Sequence, residues 1–309
     1  MINNPLVSIV VVTYNSSKTV LDTLDSIAAQ TYNNLELIVS DDYSKDDTVQ
    51  VVKTWIAENK KRFIRVQLLT VENNTGTVKN CNRGCIAAKG DWIKSIAGDD
   101  MLKSNCIQTF IEFTKVTPDC RMCCCDLDVF STGNDDITKI KELYSSYFNH
   151  VREPQLEQWN RVKYNLTLPG PGYFYSRDLY EEVGGFDEEY ILLEETPFVF
   201  NVLKHGYRIY PIDEKLVLYR ISPSSVCRDT YSNTYKILLS DKCRFFKKHQ
   251  LPTLLKSGMY LIAIKYAINY YRIEKEIRYG QDSLQAKLTK LLYFVSPLHY
   301  IDFFRRNSQ

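Results

Sequence analysis

The sequence predicts an α/β protein: a Rossmann-like, mostly parallel open sheet flanked by helices, with a helical extension at the C-terminus. Three observations carry this expectation. The run Val7-Ser8-Ile9-Val10-Val11-Val12 is dominated by β-branched residues, the pattern of a strand covered on both faces. Strand, loop and helix then recur until a fourth strand ends near residue 97, which calls for right-handed crossovers between parallel strands. The polar residues of chemical interest fall directly after these strands, where an open α/β sheet binds its ligands.

Taken in order, Thr13-Tyr14-Asn15 follows the first strand, and Val20, Leu21, Leu24 and Ile27 repeat at helical spacing. Leu35-Glu36-Leu37-Ile38-Val39-Ser40 is a second strand that ends at Asp41-Asp42, and Asp46-Asp47 offers a cap for a helix carrying Val49, Val52 and Ile56. Residues 64–71 read as a third strand, 78–88 as a helix and 93–97 as the fourth strand, with a further helix starting near Ser104. Residues 122–130 read as another strand, and the polar stretch 131–160 as a long excursion whose helices the pattern does not place. Pro169-Gly170-Pro171-Gly172 and Gly184-Gly185-Phe186-Asp187 punctuate the chain. Glu194-Glu195 opens a helix through Phe198, Val199, Val202 and Leu203 that stops at Gly206. Residues 207–211 and 215–219 are expected as two short edge strands, and the chain beyond Ser225 as largely helical.

At 309 residues the chain has room for one large domain or two smaller ones, and 44% hydrophobic with 25% charged residues is an ordinary globular composition. The net charge of +2 hides an asymmetry: residues 1–220 carry 24 basic against 31 acidic side chains, residues 221–309 carry 15 against 6. An acidic body is joined to a basic, tyrosine-rich tail, and no nucleic-acid partner is expected. The nine cysteines include Cys123-Cys124-Cys125 and no zinc-ligand spacing. Adjacent cysteines on a strand point to opposite faces, so they pack better than they pair and read as the reduced thiols of a cytosolic protein. The start Met1-Ile2-Asn3-Asn4-Pro5 lacks the basic and apolar regions of a secretory signal, and no stretch has the length of a charge-free membrane span.

The chemistry centres on Asp99-Asp100. Two adjacent carboxylates at the end of a hydrophobic strand raise each other's pKa unless a cation, hydrogen bonds or solvent compensate them. A divalent metal carrying a phosphate-bearing ligand is the sharp reading; a solvated turn or a helix N-cap is the plain one. The loop after the first strand is not glycine-rich and no P-loop is present, so hydride transfer and ATP hydrolysis lose most of their support.

Val12-Thr13-Tyr14-Asn15, Val39-Ser40-Asp41-Asp42, Asn74-Thr75-Gly76, Ala97-Gly98-Asp99-Asp100, Gly184-Gly185-Phe186-Asp187-Glu188 and Glu194-Glu195 follow one another along the chain. This ordered set resembles the family 2 glycosyltransferases of the GT-A fold, over roughly residues 5–225. The resemblance implies a catalytic domain at 1–225, with a nucleotide-sugar half to about residue 120 and an acceptor half from about 121, and then the basic extension 226–309. It implies an inverting transfer from a UDP-sugar to an acceptor hydroxyl, in bacterial surface polysaccharide or glycolipid synthesis, with Mn²⁺ or Mg²⁺ as cofactor. Thr13, Tyr14 and Asn15 would line the base site. Asp42 would accept a hydrogen bond from the uracil imide, since an ionised carboxylate accepts and cannot donate. Asp99 would contact the ribose or a metal-bound water, and Asp100 the metal.

The same resemblance makes Glu195 the general base, with Glu194 as an alternative or a support; the plain reading is that both acids favour the positive end of their helix. Relatives more often show Glu-Asp here. Ala97 stands where many carry a first Asp, and Cys81 where an Arg is common, so Lys79 or Arg83 would have to serve the diphosphate. Arg220, in Tyr219-Arg220-Ile221-Ser222-Pro223-Ser224-Ser225, matches a position that closes over the donor phosphates from a flexible loop; the plain reading is a surface salt bridge. Two other classes compete: a non-catalytic nucleotide-sugar binding protein, motivated by these departures, and a nucleotidyltransferase, which would release pyrophosphate. Residues 241–309 either rest on an anionic membrane near a lipid-linked acceptor, placing the protein at the inner face of the cytoplasmic membrane, or pack on the catalytic domain.

Overall fold

The structure, a computed structural model, describes residues 4–133, 136–164, 168–221, 232–280 and 283–295. Its first half alternates as the hydrophobic pattern requires: β1 (Val7–Thr13), α1 (Val20–Ala28), β2 (Leu35–Asp41), α2 (Thr48–Asn59), β3 (Arg65–Thr70), α3 (Thr77–Ala87) and β4 (Trp92–Ala97). A two-residue strand, β5 (Met101–Leu102), precedes α4 (Cys106–Val116), β6 (Met122–Ser131), α5 (Thr138–Arg152) and α6 (Gln155–Val162). Then come β7 (Tyr173–Ser176), α7 (Arg177–Glu182), α8 (Glu195–Lys204) and β8 (Tyr210–Ile221), followed by α9 (Asn233–Phe245), α10 (Leu251–Lys256), α11 (Tyr260–Tyr279) and α12 (Leu284–Val295).

The eight strands form one mixed sheet in the order β3-β2-β1-β4-β7-β6-β8-β5. β3, β2, β1 and β4 run parallel, while β7 is antiparallel to both its neighbours. The chain leaves β1 toward β2 and β3 on one side and returns as β4 on the other, so the strand order reverses at β1/β4, where an open sheet leaves a crevice at its carboxyl ends. Register sets the polar ends level there: Thr13 opposes Asp41, and Val12 opposes Ala97. The apolar runs that place them are buried almost throughout; all seven residues of β2 are buried. One core cluster joins Val7, Ile9 and Val11 to Leu24 and Ile27 of α1 and to Phe110 and Phe174, and Phe174 stacks between Trp92 and Phe110 at 5.0 and 4.7 Å. Removal of this apolar surface from water, about 25 cal/mol per Å², is the main force holding the strand ends level.

Three expectations change in detail. The two edge strands expected at 207–211 and 215–219 are one strand, β8, lying inside the sheet between β6 and β5. The polar residues Asp213 and Glu214 interrupt the pattern without ending the strand, because they fall where the β6–β8 register shifts between Cys125/Ile212 and Asp126/Lys215. Asp46, not Asp47, caps α2: its carboxylate accepts from the Thr48 amide at 3.1 Å and hydroxyl at 2.5 Å and from the Ser17 amide at 3.1 Å, and these bonds hold it at about 2. The excursion 131–160 contains α5 and α6, tied down by the buried Gln158, which donates to the Val151 and Ile209 carbonyls at 2.8 Å. The eight described cysteines are free and buried, with the Cys123-Cys124-Cys125 run inside β6.

Contacts divide the chain into two compact units, 1–159 with 167–225, and 160–166 with 226–309. The second has its own small core of Phe246, Leu254, Ile262 and Ala263, where Phe246 stacks on Tyr270 at 4.4 Å. A π-helical turn, Phe246–Gln250, joins α9 to α10, and Gln250 donates to the Val162 carbonyl at 2.9 Å. Among the described residues no helix is long and apolar enough to cross a membrane.

Candidate active site

The loops after β1 and β2 form one rigid wall. Thr13, 1% exposed, donates to the Asp41 carboxylate at 2.8 Å, which also accepts from the Ser44 amide and hydroxyl. Asn15 and Tyr43 take left-handed backbone angles, φ 53° and 70°, an uncommon conformation for residues other than glycine. Asn15 is held there by its amide donating to Ser44 at 2.8 Å and its side-chain oxygen accepting from the Lys45 amide at 2.8 Å. Tyr14 is half exposed.

Asp42 is buried and fully engaged. One carboxylate oxygen accepts from the Thr75 and Gly76 amides at 2.9 and 2.8 Å, the other from the Thr75 hydroxyl at 2.5 Å and Arg83 at 3.1 Å. A carboxylate offers about four acceptor positions, so all are filled from within the chain. Gly76, at φ 90°, is required by this turn, and a Cβ there would meet the Ile191 side chain at 2.7 Å and its carbonyl at 2.9 Å. Arg83 also donates to Asn80 and Thr75 at 2.9 and 2.7 Å. These bonds brace the Asp42 loop. Lys79, on the same helix, is exposed.

Asp99 and Asp100 close the β4 end. They do not cap α4, which begins after Asn105. Asp100 is 1% exposed; its Oδ1 accepts from the Arg220 backbone amide at 2.9 Å and its carbonyl from the Thr23 hydroxyl at 2.7 Å. Among the described residues nothing donates to its Oδ2. Burial, then repulsion from Asp99, pushes the Asp100 carboxyl well above its usual range; burial raises Asp99 too, against the pull of Arg220. Arg220 lies on β8, not on a flexible loop. Its guanidinium donates to the Asp99 carbonyl and to the Asp22 carboxylate, both at 2.7 Å, and stacks on Phe130 at 4.9 Å. A cation so tied is a strut for the Asp99-Asp100 turn. Ser222 to Ser225, the rest of the expected closing loop, lie outside the described residues.

Glu195 starts α8 and Glu194 precedes it. The Glu195 carboxylate lies directly on Gly170, where a Cβ would come within 1.5 Å of its Oε1. Burial, then the charge of Glu194, raises Glu195 to about 8; Lys94 pulls it down and Asp100 pushes it up. Tyr173, Tyr219, Cys124 and Cys81 feel its charge as well, so β4, β6, β7, β8 and α3 all converge on it. Lys94 escapes the sequence reading: wholly buried on β4, it donates to the Ser95 and Pro171 carbonyls at 2.8 and 2.6 Å. A lysine inside a largely apolar strand was its signal. Gly170 gave none beyond its place between prolines.

A family model, "Glycosyl transferase family 2", matches residues 8–184. The chain belongs to glycosyl transferase family 2. It is 27% identical over 245 residues to an uncharacterized glycosyltransferase, EpsJ, of Bacillus subtilis, a match spanning 74% of this chain and 64% of EpsJ. Its fold is that of S. aureus TarS 1–349 crystallised with UDP-GlcNAc (TM-score 0.60, 17% identity, 94% of this chain, 91% of that one). It is also that of the mannosyltransferase PcManGT from Pyrobaculum calidifontis with GDP-Man and Mn²⁺ (TM-score 0.59, 17% identity, 96% and 83%). The GT-A fold expected from the motifs is therefore the fold observed.

Within this family 2 scaffold, Thr13, Tyr14, Asn15, Asp42, Asp99, Asp100 and Glu195 all come from elements ending at the carboxyl edge of the sheet or facing it. The Gly184-Gly185-Phe186-Asp187-Glu188 motif has a bracing role: buried Asn82 donates to the Phe186 carbonyl at 2.8 Å and to Glu188 at 2.9 Å, and accepts from the Phe186 amide at 3.0 Å and the Tyr180 hydroxyl at 2.5 Å.

Proposed function

We propose that the chain is a metal-dependent, inverting glycosyltransferase that moves a sugar from a UDP-sugar to an acceptor hydroxyl. The observation that carries the reading is the placement of Glu195: its carboxylate lies against Gly170, unclaimed by any hydrogen-bond donor among the described residues and within electrostatic reach of Asp100. Burial raises this carboxyl, and in its ionised form it takes a proton from an acceptor hydroxyl more readily than an ordinary carboxylate does.

The donor set fits a hard cation. Asp100 and Asp99 are adjacent, buried and mutually repelling, and one Asp100 oxygen takes no protein donor among the described residues. No described group of three or more His, Cys, Asp or Glu is arranged to hold a metal; an ion here would complete its shell with donor phosphates and water, the habit of Mg²⁺ and Mn²⁺ at nucleotide sites. Asp100, with Asp99 beside it, would hold such an ion, whose charge would offset that of the departing diphosphate. Tyr14 offers a half-exposed ring for the base, beside the wall of Thr13, Asn15 and Asp42. A base bonding Asp42 displaces one of its present donors, of which Arg83, at 3.1 Å, has the longest bond.

Glu195 accepts the acceptor proton as the acceptor oxygen bonds the anomeric carbon and that carbon's bond to phosphate breaks, releasing UDP. The attack is from the face opposite UDP and needs no covalent enzyme intermediate. Glu194 supports the base by raising its pKa. The acceptor is read as a saccharide, free or lipid-linked, and the exposed apolar and basic residues of α11 and α12 support a peripheral membrane contact. Incubating the protein with UDP-glucose, UDP-galactose and UDP-N-acetylglucosamine, with and without Mn²⁺, tests the reading. Mn²⁺-dependent release of UDP from one of them is expected; release of pyrophosphate, or Mn²⁺-dependent UDP binding with no turnover of any UDP-sugar, contradicts it.

A further inference from the structure

Lys94 has no place in the roles above, yet it is a charged side chain with none of its surface exposed. Lysine is almost never fully buried without a partner, because desolvating an ammonium is costly. Its two hydrogen-bond partners are both neutral carbonyls, Ser95 at 2.8 Å and Pro171 at 2.6 Å. Hydrogen bonds alone do not explain a full charge here. What surrounds it does: Lys94 is the cation that acts on Glu195, and it also acts on Asp100.

The route to Glu195 is short. Pro171, which Lys94 holds, follows Gly170 in the turn Gly170–Gly172, and Gly170 is the surface against which the Glu195 carboxylate rests. One side chain on a rigid central strand therefore fixes the floor beneath the carboxylate and supplies charge of the opposite sign. The other titratable groups facing Glu195 are Glu194 on its own helix, Asp100 after β4, Tyr173 on β7, Cys124 on β6, Tyr219 on β8 and Cys81 on α3, none of them cationic.

We propose that Lys94 is a positioning residue for Glu195: its buried ammonium anchors the Gly170–Gly172 turn against β4 and offsets the carboxylate charge at the sheet edge. Its meaning for catalysis rests on the assignment of Glu195 as base, but the interaction itself does not.

The test is a double-mutant cycle on the full chain, Lys94→Gln, Glu195→Gln and the pair, followed by urea unfolding from pH 5 to pH 9, with Lys94→Met as a second neutral substitution. The expected result is a coupling that is small at pH 5, where Glu195 is protonated, and grows as pH rises through about 8. Kinetically, Lys94→Gln should lower kcat at least about tenfold at pH 7, leave the donor KM within about twofold, and move the acid limb of kcat/KM upward in pH. A coupling that is absent or independent of pH overturns the proposal, as does failure of both neutral variants to fold, which makes Lys94 a structural residue alone. Wild-type turnover in Glu195→Gln with the pH-dependent coupling intact would instead remove the base assignment and leave the Lys94–Glu195 interaction standing.

Discussion

A single methyl group at position 170 would collide with the Glu195 carboxylate at 1.5 Å, and this contact joins backbone to chemistry at the residue scale. The atoms struck are the end of a flexible side chain, so the fold can yield while the carboxylate cannot stay in place. Gly170→Ala is expected to leave the melting temperature within about 2 °C and to lower kcat about tenfold or more, since displacement of a reacting group by an ångström costs orders of magnitude in rate. A parallel loss of stability and activity would mean that the glycine serves the turn alone. Asp42 and Arg83 teach a different lesson at this scale. Their residue types fit a base acceptor and a phosphate cation, but a sequence does not reveal that the two bond each other and that both bond Thr75.

At the scale of elements, β8 does the most that the pattern did not disclose. Alternation failed at Asp213-Glu214, and two edge strands were the natural reading; the register shift against β6 absorbs those residues and carries the strand through to Ile221. That continuity brings the Arg220 amide to Asp100 and its guanidinium to Asp99 and Asp22. Arg220→Met should keep the backbone bond to Asp100 and lose both side-chain bonds. We expect about 1–2 kcal/mol of destabilisation in urea, discounted because Asp22 is half exposed, and weaker Mn²⁺-dependent UDP binding by calorimetry. Unchanged binding would make the strut irrelevant to the site. The strands β1, β2 and β4, in contrast, were legible almost to the residue, because strands buried on both faces write their length directly as apolar runs. α5 and α6 were not: both are polar on average, so the few apolar residues that do recur at helical spacing stand out weakly in a polar stretch.

For the whole molecule, burial of Glu195 at the end of so well-packed a sheet has a thermodynamic signature. Its folded pKa, about 8, lies above the unfolded value near 4.5. The unfolded chain loses this proton first, so the group's contribution to stability is present below about pH 4.5 and declines until about pH 8. Glu195→Gln should remove that slope and make the protein more stable than wild type at pH 8, by a few kcal/mol at the order of magnitude set by about 1.4 kcal/mol per pKa unit. Parallel pH–stability curves for the two proteins would show that Glu195 titrates normally.

The second unit is where function was least legible. Leu284, Leu288 and Leu291 of α12 are exposed at helical spacing beside Lys287 and Lys290, and Tyr260, Leu261 and Ile264 of α11 are exposed as well. Apolar residues with flanking lysines suit an anionic interface. Cosedimentation with vesicles containing anionic lipid should fall with added salt and with the triple change Leu284→Ser, Leu288→Ser, Leu291→Ser; equal sedimentation of the variant would remove α12 from any membrane role.

Glu195 as the base of a metal-dependent sugar transfer is tested by UDP release from wild type, Glu195→Gln and Glu194→Gln in Mn²⁺, alongside calorimetric donor affinity. Glu195→Gln should bind the donor with unchanged affinity and turn it over at least about a hundredfold more slowly, while Glu194→Gln keeps most of its activity. An active Glu195→Gln paired with an inactive Glu194→Gln would contradict that assignment and move the base one residue back.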